Sequence, residues 1–215
     1  MTATEPRATA LAAPGGPPAG RRPGLGPRLL AAAAGVLLIA GAMGLQTLKL
    51  GQTEVSGPIV YTGSKGEDVD ARRFTLRLDS IAAAKALQGS SKTLATDHVF
   101  LVLAVSAKSS LKPYHLAMPM LVTADGKRFE ASDRVDRAVT LSNTFVQPDI
   151  WVRGRFYFEV PASALPGASA LFSLPQQGVV VEPYQPQVEI DLGLDDEGAR
   201  KLVASAQDVY PTVKK

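Results

Sequence analysis

The sharpest alternation of apolar and polar positions runs from Ile150 to Val160, IWVRGRFYFEV. Ile150, Val152, Phe156, Phe158 and Val160 fall on one side, with Gly154 in the same series. Trp151, Arg153, Arg155, Tyr157 and Glu159 fall on the other. A period of two is what a strand with one buried face requires. Phe74, Leu76 and Leu78 alternate in the same way with Arg73, Thr75, Arg77 and Asp79, as do Val188, Ile190, Leu192 and Leu194 with Glu189, Asp191 and Gly193. His98 to Ala107, HVFLVLAVSA, is apolar on both sides and suits a central strand. Short strands are predicted at Ile59–Thr62, Met118–Thr123, Lys127–Ala131, Ser169–Ser173 and Gly178–Glu182. Asp125-Gly126 separates two of them and is a strong hairpin signal. Seven or more short strands broken by Pro and Gly predict an antiparallel β-sandwich or barrel. One helix is expected after Asp195-Asp196-Glu197, where Ala199, Leu202, Val203 and Ala206 follow helical spacing and the acids favour a helix start.

The first 58 residues have a different pattern. Residues 1–28 are rich in Pro, Gly and Ala and have little to bury, so a disordered tail is expected. Leu29 to Leu48 is twenty residues without a charge, flanked by Arg28 and Lys49. A helix of that length spans roughly 30 Å, the thickness of the hydrocarbon core. The arginines before it favour a cytoplasmic N-terminus. A cleaved secretory signal is the rival reading, since Leu29–Ile39 has the length of its apolar region and Ala40-Gly41-Ala42 fits a cleavage site. The expected organisation is a tail over 1–28, a transmembrane helix over 29–48 and a linker over 49–58. An extracytoplasmic sandwich over 59–194 and a helix with its tail over 195–215 complete it.

Charge agrees with this division. Residues 1–50 carry five cations, Arg7, Arg21, Arg22, Arg28 and Lys49, against Glu5 alone, and the rest has 18 Lys/Arg against 19 Asp/Glu. The folded part therefore lacks the basic footprint of a nucleic-acid binder. The absence of cysteine excludes a lipidated cysteine, a disulfide framework, a thiol nucleophile and cysteine metal ligands.

VFLVLAVSAKS, the hairpin LVTADGKRFEAS and VRGRFYFEVP together resemble the immunoglobulin-like domains of unknown function found in bacterial lipoproteins and membrane-anchored proteins. The matching pieces span about Asp97 to Leu174, and the closest is Gly154 to Pro161. Two features depart from the pattern. Ser109-Ser110-Leu111-Lys112-Pro113 replaces an asparagine-rich loop, and Pro148-Asp149 replaces a proline–glycine lead-in. The resemblance implies an immunoglobulin-like sandwich acting as an extracytoplasmic interaction module of the cell envelope. It implies no chemistry.

Candidate chemistry is sparse. KPYHLAMPM, Lys112 to Met120, holds one of two histidines and two of four methionines. Soft metal ions need converging ligands, and on an extended strand His115 and Met118 point to opposite sides. Leu116, Met118 and Met120 instead follow a core pattern. The acid clusters Glu67-Asp68-Asp70 and Asp195-Asp196-Glu197 could in principle supply a glycan-hydrolysing carboxylate pair, but adjacent acids usually face water and the second cluster fits a helix start. No cofactor and no catalytic residue is expected. The candidate partner-binding residues are Trp151, Arg153, Arg155 and Tyr157, since aromatic and arginine side chains are enriched where proteins meet partners. Alternatively that face is covered, or its arginines pair with Glu189 and Asp191. The expected function is non-catalytic: a single-pass membrane protein binding an envelope component or membrane protein. A metal- or small-ligand-binding module is the alternative, and a glycan-active enzyme is the weakest.

Overall fold

The computed structural model describes residues 25–47, 57–90, 92–176 and 182–212. The chain forms two compact units, Met1–Gly51 and Gln52–Lys215. The first contains helix α1, Leu25–Thr47, 23 residues long. Pro27 lies in its first turn, where a missing N–H is tolerated. Leu29, Leu30, Val36, Leu37, Leu38, Ile39 and Met43 are all exposed. Four of these, Val36 to Ile39, are consecutive, and at 100° per residue they point to all sides of the helix. Among the described residues no helix is long and apolar enough to cross a membrane. The described side chains of α1 run without a break only from 32 to 44. Of the tail predicted over 1–28, residues 25–28 belong instead to α1, and residues 1–24 lie outside the described residues, as does most of the linker predicted over 49–58.

The second unit is a β-sandwich. Its strands are β1 (Ile59–Ser64), β2 (Val69–Asp70), β3 (Phe74–Gln88), β4 (Thr93–Ser109), β5 (Met120–Val122), β6 (Arg128–Glu130), β7 (Val152–Val160), β8 (Ser169–Ser173), β9 (Pro186–Asp191) and β10 (Tyr210–Pro211). One sheet has the order β1-β9-β8-β5-β6, the other β10-β3-β4-β7 with β2 also pairing β3. Pairing is antiparallel except for β1 on β9 and β10 on β3. The chain changes sheet repeatedly, so that β4 pairs β7 in one sheet while β5 pairs β8 in the other. Such interleaved connections are of the Greek-key kind.

The strand pattern explains the core. Phe74, Leu76 and Leu78 of β3, Leu101, Leu103 and Val105 of β4, and Phe156, Phe158 and Val160 of β7 are buried between the sheets. Leu121, Phe172, Val188 and Ile190 meet them from the other side. β4 is central and buries both faces, as its sequence predicts: Phe100 and Val102 point into a second, smaller cluster with Ala84, Leu87, Val135 and Tyr157. That cluster lies on the outer face of the β3-β4-β7 sheet.

Three expectations need correction. No strand is predicted over Ser80–Gln88, yet β3 continues through it. Alanine favours helices, but the stretch is paired residue by residue with β4, through register shifts between Leu78 and Ser80 and between Ala84 and Ala86. Ile150 does not share the buried face of β7. The strand begins at Val152, Asp149 has a φ of 54°, and Ile150 is 61% exposed. The residues after 194 are part of the sandwich rather than an appendage. Helix α2, Asp196–Ala204, starts where predicted, with the Asp195 carboxylate accepting from Gly198 N at 2.6 Å. It buries Ala199 in the main core. The chain then returns to the sheet, where Tyr210 pairs with Leu87 and Thr212 N donates to Gln88 O at 3.0 Å. The predicted strand Gly178–Glu182 lies outside the described residues apart from Glu182, which is in no strand.

The connection from β6 to β7, residues 131–151, runs along β7, which ends its sheet's strand order. Ser132 N donates to Tyr157 O at 2.7 Å, and Val135 covers the outer face beside Tyr157. Leu141 then crosses to the inner face over Gly154. A Cβ at Gly154 would lie 2.6 Å from the Leu141 Cβ, so the glycine is required by this close approach.

Candidate binding surface

The starts of β1, β3, β5, β7 and β9 lie at one end of the sandwich. The register shows this directly: Phe74 is opposite Ser109, Ala107 opposite Val152, and Ile59 beside Pro186. The β4–β5 loop, the last part of the β6–β7 connection and the β8–β9 loop therefore converge there. Ser109 N donates to Gln147 O at 3.0 Å, and Tyr114 and Val146 exchange backbone hydrogen bonds at 3.1 and 2.7 Å. Ala117 N donates to Ser173 O at 2.9 Å.

Between these loops lies a groove of about 740 Å³. Tyr114, His115 and Phe145 supply its aromatic lining, and Leu174 with Pro175 closes one side. The His115 and Phe145 rings are 3.9 Å apart between centroids. Lys112 Nζ lies 5.4 Å from the centre of the Tyr114 ring. Arg73 and Glu182 form an ion pair at the rim. That pairing holds the Glu182 carboxyl below its ordinary pKa and raises the Arg73 guanidinium. Leu111 is 83% exposed and Phe145 52%, although both are large and apolar.

The stretch Lys112–Met118 is an irregular loop rather than the extended strand on which His115 and Met118 would diverge. Both side chains turn to Ser142. The His115 Nδ1 is 3.0 Å from the Ser142 carbonyl oxygen, and the Ser142 hydroxyl donates to Met118 Sδ at 3.2 Å. A carbonyl only accepts, so Nδ1 carries the proton and is engaged. Leu116 is buried and Met118 packs against the main core, as the apolar pattern indicates. Among the described residues no three His, Asp or Glu side chains gather as a metal set. The acid clusters serve local structure. Glu67 accepts from Ser64 N, Asp68 pairs with Arg77, Asp70 accepts from Arg72 N and Asp195 caps α2.

The row predicted on β7 is not a continuous surface. Arg153 is exposed. Trp151 is half-buried just before the strand, with the Arg77 guanidinium 4.8 Å and Lys108 Nζ 5.2 Å from its ring centre. Arg155 lies 5.3 Å from the Tyr210 ring centre and reaches Pro211 O at 3.4 Å. Tyr157 is 1% exposed, in the second cluster. Among the described residues its buried hydroxyl has no hydrogen bond of good geometry, although the Arg155 guanidinium is near enough to act on it. Burial raises its pKa despite the nearby Arg155. Tyr157 is thus removed from the candidate surface. The pairing of these arginines with Glu189 and Asp191 does not occur either, because β9 belongs to the opposite sheet. Glu189 accepts from Ser169 Oγ, and Asp191 from Gly193 N. Phe145, the aromatic residue that completes the groove, carries no signal in sequence, since only the fold brings it to Tyr114 and His115.

No family model matches the chain, and no curated protein matches it. Three solved structures resemble it at a distance. The yjhA protein from Bacillus subtilis is 12% identical, with 60% of this chain and 99% of that chain covered and a TM-score of 0.44. An uncharacterized β-sandwich protein from Clostridium difficile is 11% identical, with 62% and 95% covered and a TM-score of 0.37. The secreted protein MPT63 from Mycobacterium tuberculosis is 14% identical, with 62% and 97% covered and a TM-score of 0.42.

Proposed function

We propose that this chain is a non-catalytic binding module, anchored by one span, whose immunoglobulin-like sandwich engages a component of the cell envelope near the membrane. The observation that carries the binding reading is the convergence of three loops on one aromatic groove with exposed apolar side chains at its rim. Recognition residues are commonly placed on loops held by a rigid scaffold. By order and pairing, the β4–β5 and β8–β9 loops correspond to the B–C and F–G loops that immunoglobulin variable domains use for recognition. The groove has the volume of a ligand site, so a small ligand is the second reading.

Anchoring rests on the uncharged run Leu29–Leu48 and on the apolar circumference of α1. A helix apolar on all faces needs a surrounding that is apolar too. The arginine excess before it orients the N-terminus inward.

The absence of native cysteine makes the test direct. A single Ser90→Cys in the exposed β3–β4 turn should react with a membrane-impermeant maleimide on intact cells whose outer barrier has been removed. Ala8→Cys in the leader should react only after permeabilisation. The reverse pattern, or labelling of both in intact cells, contradicts the proposed topology.

A further inference from the structure

We infer that the loop end of the sandwich docks on the lipid bilayer, with Leu111 and Ile150 entering the headgroup region and Lys108 and Lys112 meeting lipid phosphates. This rests on the proposed span, because the chain enters the sandwich at its loop end.

Four observations support it. The first is where the apolar side chains protrude. Leu111, Phe145, Ile150 and Tyr184 are exposed on loops of this end, and Ile59 and Val60 are the first residues of β1. Among the described residues of the sandwich, Val209 is the one remaining large apolar side chain with such exposure. A soluble surface seldom collects its exposed apolar groups at one end, and such a patch marks a site of association.

The second is adjacency. Ser109 and Pro148 are bridged, and Asp149 N donates to Ser109 O at 3.0 Å. Leu111 and Ile150 each follow that bridge by two residues, so they project from neighbouring points of the same end.

The third is the company they keep. Lys108 lies over Trp151 and Lys112 over Tyr114, and among the described residues neither lysine forms an ion pair. Tryptophan, tyrosine and lysine side chains suit the membrane interface. Their apolar bodies sit at headgroup depth and their polar tips reach phosphate and water.

The fourth is the covalent path. β1 begins at the loop end, and only residues 48–58 separate it from the last residue of α1. Eleven residues reach at most about 40 Å when fully extended. The loop end is therefore the end at which the chain enters the sandwich.

Trp151 is the only tryptophan in the chain, so its fluorescence reports on this end alone. The experiment uses the full chain reconstituted into vesicles of phosphatidylethanolamine and phosphatidylglycerol, with and without lipids brominated at shallow acyl positions. Trp151 emission should be quenched by the brominated lipid. The exposed-site variants Leu111→Asp and Ile150→Asp should restore it while the melting temperature stays unchanged. Lys108→Gln with Lys112→Gln should weaken docking by about fivefold for each lysine charge removed. Resistance to carbonate extraction is read in parallel as the measure of anchoring. A chain that resists extraction and is not quenched overturns the docking and leaves the span standing. A chain that is extracted but still quenched when vesicles are added back overturns the span and keeps the docking. A chain that fails both overturns both.

Discussion

Phe156→Ala will lower the unfolding free energy of the sandwich by about 3–5 kcal/mol, and Phe158→Ala by a similar amount. Both rings are fully buried. Phe156 stands opposite Leu103 and Phe158 opposite Leu101 across the β4–β7 ladder, and the Phe156 ring lies 5.9 Å from that of Phe172 on the other sheet. Truncation removes a whole ring from the contact between the two sheets, and flanking strands held by ladder hydrogen bonds cannot collapse into the space. Domains of this size are stable by about 5–15 kcal/mol, so a loss of this magnitude leaves a small margin. A drop in melting temperature of about 6–20 °C is expected for a unit of this length. Circular dichroism of the full chain in detergent measures it. A cost below about 1 kcal/mol would mean that the inner face of β7 is not closed as described.

Tyr157→Ala will also destabilise the sandwich, by about 2–4 kcal/mol, the loss of the buried ring being partly offset by loss of its hydroxyl, although Tyr157 lies on the opposite face of the same strand. Val135, Phe100, Val102 and Leu87 enclose it in the second cluster. Tyr157→Phe separates burial from chemistry. Among the described residues the buried hydroxyl has no hydrogen bond of good geometry, Arg155 being merely close to it, and an unsatisfied buried polar group costs about 1–3 kcal/mol. Its removal should therefore leave stability unchanged or raise it. Were Tyr157 part of a solvent-facing recognition row, Tyr157→Ala would change the melting point little. Equilibrium unfolding of the two variants side by side decides between these.

The contrast between the two faces of β7 shows what the sequence reveals and what it hides. Phe156 and Phe158 are legible because alternation along one strand is a local property. The cover over Tyr157 is not. It is built from Val135 and Val139, in turns without strand periodicity, and from Tyr210, which reaches the sheet only after α2 has turned the chain back. The second half of β3 hides for a related reason. Its alanines carry a helical preference, and pairing to β4 overrides it. At the loop end, Tyr114 and His115 draw notice as residue types, but their partner Phe145 is 30 residues beyond His115 in a connection that first runs away along β7. A binding groove made by several loops has no sequence period, so its members become visible together only in the fold.

The central claim is that the sandwich works through its loop end. Hydroxyl-radical footprinting of the full chain, in native membranes and again after solubilisation in detergent, tests it most directly. The account predicts that Leu111, Tyr114 and Phe145 are protected in membranes and become reactive on solubilisation. Val209, away from that end, should be equally reactive in both. Equal reactivity of the loop-end residues in the two states, with protection appearing at Val209 instead, would contradict it.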